Sequence, residues 1–76
     1  MDEIEERLRN LSDEEKIKRI QNETNYYYIR ILIESLKSDE LKLKMIEEIH
    51  EEDRGKIIAT IKSDDLKLNY IIHNRE

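Results

Sequence analysis

The residues whose types and spacing best suit chemistry are Glu47 and His50, which form a Glu-x-x-His pattern. On one helix this spacing directs both side chains to the same face, and di-iron helical bundles use the pattern twice. Here it occurs once, the other histidine is His73, and the neighbouring glutamates are typical of a solvated acidic face. We therefore expect no metal site, and a metal-binding or enzymatic helical bundle is the remote alternative.

Other patterns for catalysis or cofactor binding are equally weak. The chain has no Cys, which excludes disulfides and thiolate zinc sites, and its sole glycine, Gly55, belongs to no phosphate-binding loop. A nucleophilic serine needs a base and an orienting group, and three of the serines are better explained as helix caps. We therefore expect a protein that is not an enzyme, has no cofactor and binds no small-molecule substrate.

Three consecutive tyrosines at positions 26–28 are unusual in a chain with few aromatic residues. Consecutive residues on a helix are about 100° apart, so the three rings cannot share a face. Tyr28 can join an apolar stripe, whereas Tyr27 points the other way, with Ile31 four positions further on. One interpretation is a central helix buried on two sides. The other is that Tyr27 and Ile31 form an exposed anchor for a protein partner or a second copy.

The charge pattern limits the partners that we expect. There are 19 acidic and 14 basic residues, the net charge is −5, and no segment is a dense basic patch. Nucleic acids and anionic membranes are bound mainly through Lys and Arg, so we expect neither as a partner. The acidic start is not the basic region of a signal peptide, and no apolar run approaches the roughly 20 residues of a membrane span.

We therefore expect a cytoplasmic protein. The richness in Ile, Lys, Asn and Glu is typical of AT-rich genomes. If the source is an intracellular bacterium or a virus, the location would be a host cytosol.

An internal repeat supplies the elements that would position these residues. Residues 33–46 match residues 58–71 at a shift of 25 positions, and a weaker copy at 8–20 fits if the residue equivalent to Lys37 is deleted. Each copy contains a serine followed by two acidic residues, at Ser12, Ser38 and Ser63. A serine N-cap accepts a hydrogen bond from a first-turn N–H group, and acidic residues there favour the helix dipole. Each serine therefore predicts the start of a helix.

Apolar residues at helical spacing lie on both sides of each serine. The sequence predicts an all-α fold of six short antiparallel helices, at about 2–11, 13–22, 25–37, 39–51, 53–62 and 64–74. They would form three stacked helical hairpins in one domain over 1–76, with units at about 1–22, 25–50 and 53–76. Because no proline interrupts the chain, fewer and longer helices, in a small bundle or a coiled-coil-like oligomer, are the alternative.

This pattern resembles the α-solenoid class of helical repeat proteins, in which each two-helix unit buries its apolar stripe against its neighbours. The 25-residue period is shorter than those of the common helical repeats, and the tetratricopeptide and ankyrin signature residues are absent. The resemblance therefore identifies no named family. What the class implies is a non-enzymatic scaffold or interaction module that binds a partner protein through a helix-lined surface.

The last predicted helix carries an additional apolar residue. Ile72 stands where the preceding copy has Glu47, although terminal repeats normally turn a polar face outward. Ile72 therefore indicates that the helix folds back or contacts another chain. We take it, with Tyr27 and Ile31, as a candidate partner-binding residue. A homo-oligomeric structural or regulatory subunit is the alternative function.

Overall fold

A computed structural model describes residues 3–73, and every regular element in that range is helical. Six α-helices run in the order α1 Glu3–Arg9, α2 Asp13–Asn22, α3 Tyr26–Glu34, α4 Asp39–Lys44, α5 Glu51–Ile58 and α6 Asp64–His73. A 3-10 turn, Ile46–Glu48, lies between α4 and α5. The predicted all-α class with six helices is confirmed. The stacking of three hairpins, the single domain and its unit boundaries stay predictions, and the predicted ends at residues 2 and 74 lie outside the described residues.

Serine side chains cap the N-termini of three of the helices, at the positions that the sequence predicts. Each hydroxyl accepts a hydrogen bond from the backbone N–H group three residues on, at 3.2 or 3.3 Å, in the pairs Ser12 with Glu15, Ser38 with Leu41, and Ser63 with Leu66. These bonds satisfy N–H groups that have no partner inside the helix. The chain therefore breaks before each serine, and the alternative of fewer, longer helices is wrong.

The segment 39–51 does not form the single helix that the sequence predicts. α4 ends at Lys44, and the 3-10 turn follows. Residues three apart eclipse one another in a 3-10 turn, so Ile46 and Ile49 point the same way, and both are buried. The Arg54 Nε atom donates a hydrogen bond to the Ile49 carbonyl at 3.0 Å. The free energy gained by burying these two isoleucines thus exceeds the free energy lost when the helix ends.

The core is centred on α3. Its three consecutive residues Ile31, Leu32 and Ile33 are all buried, which requires neighbours on more than one side. α3 packs against both α1 and α2, while α6 packs against α4 and α5 against the 3-10 turn. The core cluster consists of Leu8, Ile20, Ile31, Leu32, Ile33, Leu36, Ile46, Ile49 and Ile57. α6 contributes no buried residue to it.

Asp13 and Lys16, one turn apart on α2, bind the segment that joins α3 to α4, here called the second junction (residues 35–38). Three backbone groups are bound: the N–H groups of Lys37 and Ser38, 2.8 and 3.0 Å from the Asp13 carboxylate, and the Ser35 carbonyl, 2.7 Å from Lys16 Nζ. Lys16 is 0% exposed. A buried ammonium group is tolerated only with such partners, so these bonds hold α2 against the junction.

The same arrangement recurs one helix pair later. Asp39 and Lys42 on α4 bind the third junction (residues 60–63), which joins α5 to α6. The bound groups are the N–H groups of Lys62 and Ser63, 3.0 and 3.1 Å from Asp39 Oδ2, and the Thr60 hydroxyl, 3.0 Å from Lys42 Nζ. Lys42 is also buried. We call Asp13 with Lys16 the first aspartate–lysine pair and Asp39 with Lys42 the second.

Opposing effects set the ionisation of the first pair. Burial raises the pKa of Asp13, but the N–H groups of Lys37 and Ser38 and the Lys16 charge outweigh it, and the pKa lies below the usual 3.8. Burial lowers the pKa of Lys16 from 10.5 despite the attraction of Asp13. The carboxylate of Asp13 is therefore better stabilised in the folded chain than in the unfolded one.

Replacing Asp13 with Asn is expected to lower the free energy of unfolding at neutral pH by about 1–3 kcal/mol, because charge-assisted hydrogen bonds to two N–H groups weaken. The pKa of Asp13 is lowered on folding. Its contribution is therefore present above pH 3.8 and is lost as the pH falls through the folded-state value. Urea unfolding followed by circular dichroism, from neutral pH down to about pH 2, measures this loss.

The matched control is Asp64→Asn, which changes the equivalent but exposed position of α6 and should cost less than about 0.5 kcal/mol. Equal losses in the two variants would contradict the assignment. The assignment would also be contradicted if the difference in the free energy of unfolding between Asp13→Asn and the wild type did not become smaller as the pH is lowered.

Candidate protein-interaction surface

The structure separates Tyr27 from Ile31. Ile31 is 3% exposed and lies in the core, because α3 is covered by both α1 and α2. Ile31 is therefore not available as the exposed anchor that the sequence suggested, and the interpretation of a helix buried on two sides describes α3 better. Tyr27 is half exposed, and its hydroxyl donates a hydrogen bond to Glu5 Oε2 at 3.1 Å.

Tyr26, which sequence reasoning passed over, organises the start of α5. Its hydroxyl donates to Asp53 Oδ2 at 2.8 Å and accepts from the His50 N–H group at 2.9 Å. Its ring stacks on the His50 imidazole, with 3.7 Å between the ring centroids. Burial, with a further contribution from Asp53, raises the pKa of Tyr26, so the phenol stays protonated at neutral pH. These contacts give the cluster a structural role at the helix start.

Glu47 and His50 do not share a helix face. Glu47 lies in the 3-10 turn, whereas His50 precedes α5 and is held against Tyr26. The nearest carboxylate that the structure places beside the His50 ring is that of Glu52, 4.0 Å from Nδ1. Within residues 3–73 there is no group of three or more His, Asp or Glu side chains that could hold a metal ion.

Among the depressions on the surface formed by residues 3–73, two are large enough to compare with a binding site. One, of about 550 Å³, lies along α1 and is lined by Glu3, Glu6, Arg7, Asn10 and Leu11. The other, of about 270 Å³, lies beside the 3-10 turn and includes Lys44, Arg54 and Tyr70. Both linings include charged side chains, and neither includes one of the serines. Neither depression therefore assembles a nucleophile with a base.

The most apolar exposed face lies on α6. Leu68, Ile71 and Ile72 are 57%, 50% and 57% exposed. Residues spaced by three and four positions lie on one side of a helix, so these three form a single stripe, here called the α6 stripe. Tyr70, on another side of α6, packs against the core cluster. The α6 stripe therefore faces away from the contacts that attach α6 to the rest of the protein.

Sequence reasoning found one residue of this stripe and missed two. The sequence indicates Ile72, because the preceding copy has Glu47 at that position. Leu68 and Ile71 match Leu43 and Ile46 of that copy, and the repeat by itself does not distinguish the two pairs of residues. Ile46 is buried, whereas Ile71 is half exposed. The difference arises because no described helix follows α6 to cover it.

None of the helices in residues 3–73 combines the length and the apolar character needed to cross a lipid bilayer. Comparisons with protein-family models, with curated proteins and with solved structures find no match to this chain.

Replacement of Ile31 by Ala is expected to lower the free energy of unfolding by about 2–5 kcal/mol, because it leaves a cavity in the core. Tyr27→Ala and Ile72→Ala are each expected to cost less than about 1 kcal/mol, since both side chains are half exposed or more. Urea unfolding of the three variants, followed by circular dichroism, gives the comparison. A Tyr27→Ala variant as unstable as Ile31→Ala would show that Tyr27 belongs to the core.

Proposed function

We propose that this protein is a non-enzymatic interaction module that binds a partner protein through the outer face of α6. The observation that supports the proposal is the α6 stripe, in which three large apolar side chains of one helix are half exposed or more. Exposed apolar stripes rimmed by polar residues are typical of protein-binding surfaces. Because α6 contributes no buried residue to the core of this protein, its exposed side can pack against another protein.

Covering the stripe would release a useful amount of free energy. Full burial of a Leu or Ile side chain is worth about 1.5–3 kcal/mol, and roughly half of each of these side chains remains accessible. Three such side chains thus supply about 2–4 kcal/mol before the costs of association. That is enough to form the centre of an interface when polar contacts surround it, but too little to bind a partner alone.

The residues singled out from the sequence contribute unequally to this proposal. Ile72 belongs to the stripe, and Ile31 is left out because it is buried. Tyr27 lies on α3 and is not needed for binding at α6. The predicted cytoplasmic location, and the prediction that neither nucleic acid nor membrane is a partner, stay predictions.

Self-association through the same stripe is the second candidate, and one feature favours it. α6 begins with Asp64 and Asp65 and has His73 in its last turn. Two α6 helices packed antiparallel would set the acidic end of one beside His73 of the other, with a favourable interaction when the imidazole is protonated. The protein would then be a homo-oligomeric structural or regulatory subunit.

Affinity capture from a lysate of the source organism tests the proposal. The wild-type chain, a Leu68→Ser/Ile72→Ser variant and a control Glu14→Ser/Lys18→Ser variant serve as baits. The control changes two exposed polar side chains of α2. We expect a protein that the wild type and the control retain and that the stripe variant loses by about tenfold or more, which corresponds to about 1.4 kcal/mol.

Circular dichroism of each bait shows that the fold is intact before the capture is read. Retention of the same proteins by all three baits would contradict the proposal. Sedimentation of the purified chain over a range of concentrations separates the second candidate, because a dimer that the stripe variant cannot form would favour self-association over an outside partner.

A further inference from the structure

On the basis of the proposed function, we infer what kind of protein segment α6 binds. Asp64 and Lys67 form a third aspartate–lysine pair that, together with the α6 stripe, docks the junction of a helical hairpin from a partner protein. The ligand is a turn between two helices. It offers two consecutive N–H groups without a hydrogen-bond partner just before the second helix, and a carbonyl without a partner two or three residues earlier.

The first two pairs show what such a pair binds. In each, the aspartate accepts hydrogen bonds from two consecutive N–H groups, of which the second belongs to the serine N-cap of the next helix pair. The lysine, one turn further along the helix, donates to oxygen atoms at the residue three positions before that serine. A pair therefore binds a junction mainly through its backbone, with the Thr60 hydroxyl as an additional acceptor in the second pair.

α6 starts in the same way as α2 and α4. The Ser63 hydroxyl accepts from the Leu66 N–H group at 3.3 Å, as Ser12 and Ser38 do at their own helices. Asp64 and Lys67 follow this serine at the same offsets as the members of the first two pairs. Because the cap fixes the start of the helix, the carboxylate and the ammonium group of the third pair stand one helical turn apart, as in the other two.

The third pair differs in that no residue within 3–73 is bound to it. Lys16 and Lys42 are buried beneath their junctions, whereas Lys67 is only partly buried and Asp64 is exposed. Neither Asp64 nor Lys67 makes a side-chain hydrogen bond or ion pair with another residue in the described part of the chain. Because each of the other two pairs binds a junction, a third pair that binds no residue in the described range indicates a junction from elsewhere as its ligand.

The stripe lies where a docked hairpin would cover it. Ile17 and Ile20 of α2 occupy the positions that correspond to Leu68 and Ile71, and α2, like α6, is helical through both positions. Ile20 is buried in the core cluster and Ile17 packs against it, on the helix that carries the first pair. A junction bound by the third pair would bring its two helices over Leu68 and Ile71 in the same manner, so polar recognition and apolar burial act on one ligand.

A second copy of this chain does not offer such a junction. Its second and third junctions are already bound by its own pairs. The first, between α1 and α2, lacks the residue equivalent to Lys37, and its Leu11 N–H group is bonded to the Leu8 carbonyl at 3.4 Å. It therefore presents one N–H group, that of Ser12, instead of two.

The helix beside that first junction is also unsuited to cover the stripe. α1 has the exposed residues Glu6 and Arg7 at the positions where α3 has the buried residues Ile31 and Leu32. Packing this face on the α6 stripe would leave two charged groups against apolar side chains, which is unfavourable. The ligand that fits is accordingly a hairpin of another protein with a full-length junction and an apolar first helix.

The experiment uses as its probe a junction that is known to bind such a pair. Residues 49–76 are repeated after residue 73 of the full chain, which keeps the 25-residue spacing of the serines. Tethering supplies the probe at an effective concentration of about 1 mM or more. Amide hydrogen exchange measured by NMR reports on the two N–H groups of the added junction, those of the second Lys62 and Ser63.

We expect these two N–H groups to exchange at least about tenfold more slowly than unprotected amides, a difference of about 1.4 kcal/mol. Asp64→Asn in the original α6, not in the added copy, should remove most of this protection. The matched control Asp65→Asn changes the neighbouring acidic residue in the same turn and should leave the protection unchanged. The inference would be overturned if the Asp64→Asn and Asp65→Asn variants showed equal protection. It would also be overturned if the lengthened chain without substitutions showed no protection of these two N–H groups.

Two further measurements separate this inference from the proposed function. If Leu68→Ser/Ile71→Ser releases the added hairpin but Asp64→Asn does not, the stripe binds a partner and the aspartate–lysine recognition is wrong. If neither variant changes the exchange, both proposals fail at this surface. Sedimentation of the natural chain adds a check on the ligand, because self-association that Asp64→Asn abolishes would show that a second copy is the ligand after all.

Discussion

Two buried ammonium groups constrain the fold. Lys16 and Lys42 are buried, and a buried charge without partners would cost several kcal/mol. Each finds an oxygen acceptor at the junction of the following helix pair, and the aspartate one turn earlier binds two N–H groups of the same junction. Successive helix pairs are thereby held in one register, because a shift of one residue would leave both the charge and the N–H groups unpaired.

This constraint links the fold to the proposed function. The first two aspartate–lysine pairs each bind the junction of the following helix pair, whereas Asp64 and Lys67 of α6 bind no residue in the described part of the chain. This third pair accompanies the α6 stripe, which no residue within 3–73 covers. The bonds that specify the order of the helix pairs inside the protein are therefore also suited to select a partner outside it.

The sequence predicted the features that depend on nearby residues. The serine caps and the helix starts follow from a hydroxyl and an N–H group three positions apart, and these were confirmed. The early end of α4 was missed because burial of Ile46 and Ile49 together decides it, and that burial depends on the rest of the fold. For the same reason the position of Ile31 in the core could not be separated from an exposed position by periodicity alone.

The aspartate–lysine pairs were not recognised from the sequence, although every residue in them was visible. The helix dipole is a sufficient explanation for aspartates in the first turn of a helix. Lysine is usually exposed, so the sequence gives no reason to expect Lys16 in the interior. Their bonds join positions far apart in the chain, and backbone N–H groups carry no sequence signature. Tyr26 was missed likewise, since its partners His50 and Asp53 lie on a distant segment.

The central claim is that the first two pairs hold the junctions, and residue-resolved amide exchange of the natural chain tests it most directly. Lys37 and Lys62 have exposed side chains and lie outside any helix, so their N–H groups would ordinarily exchange freely with solvent. The account predicts that these two N–H groups exchange as slowly as those of the buried helix α3. Exchange at the rate of an unprotected surface loop would contradict it.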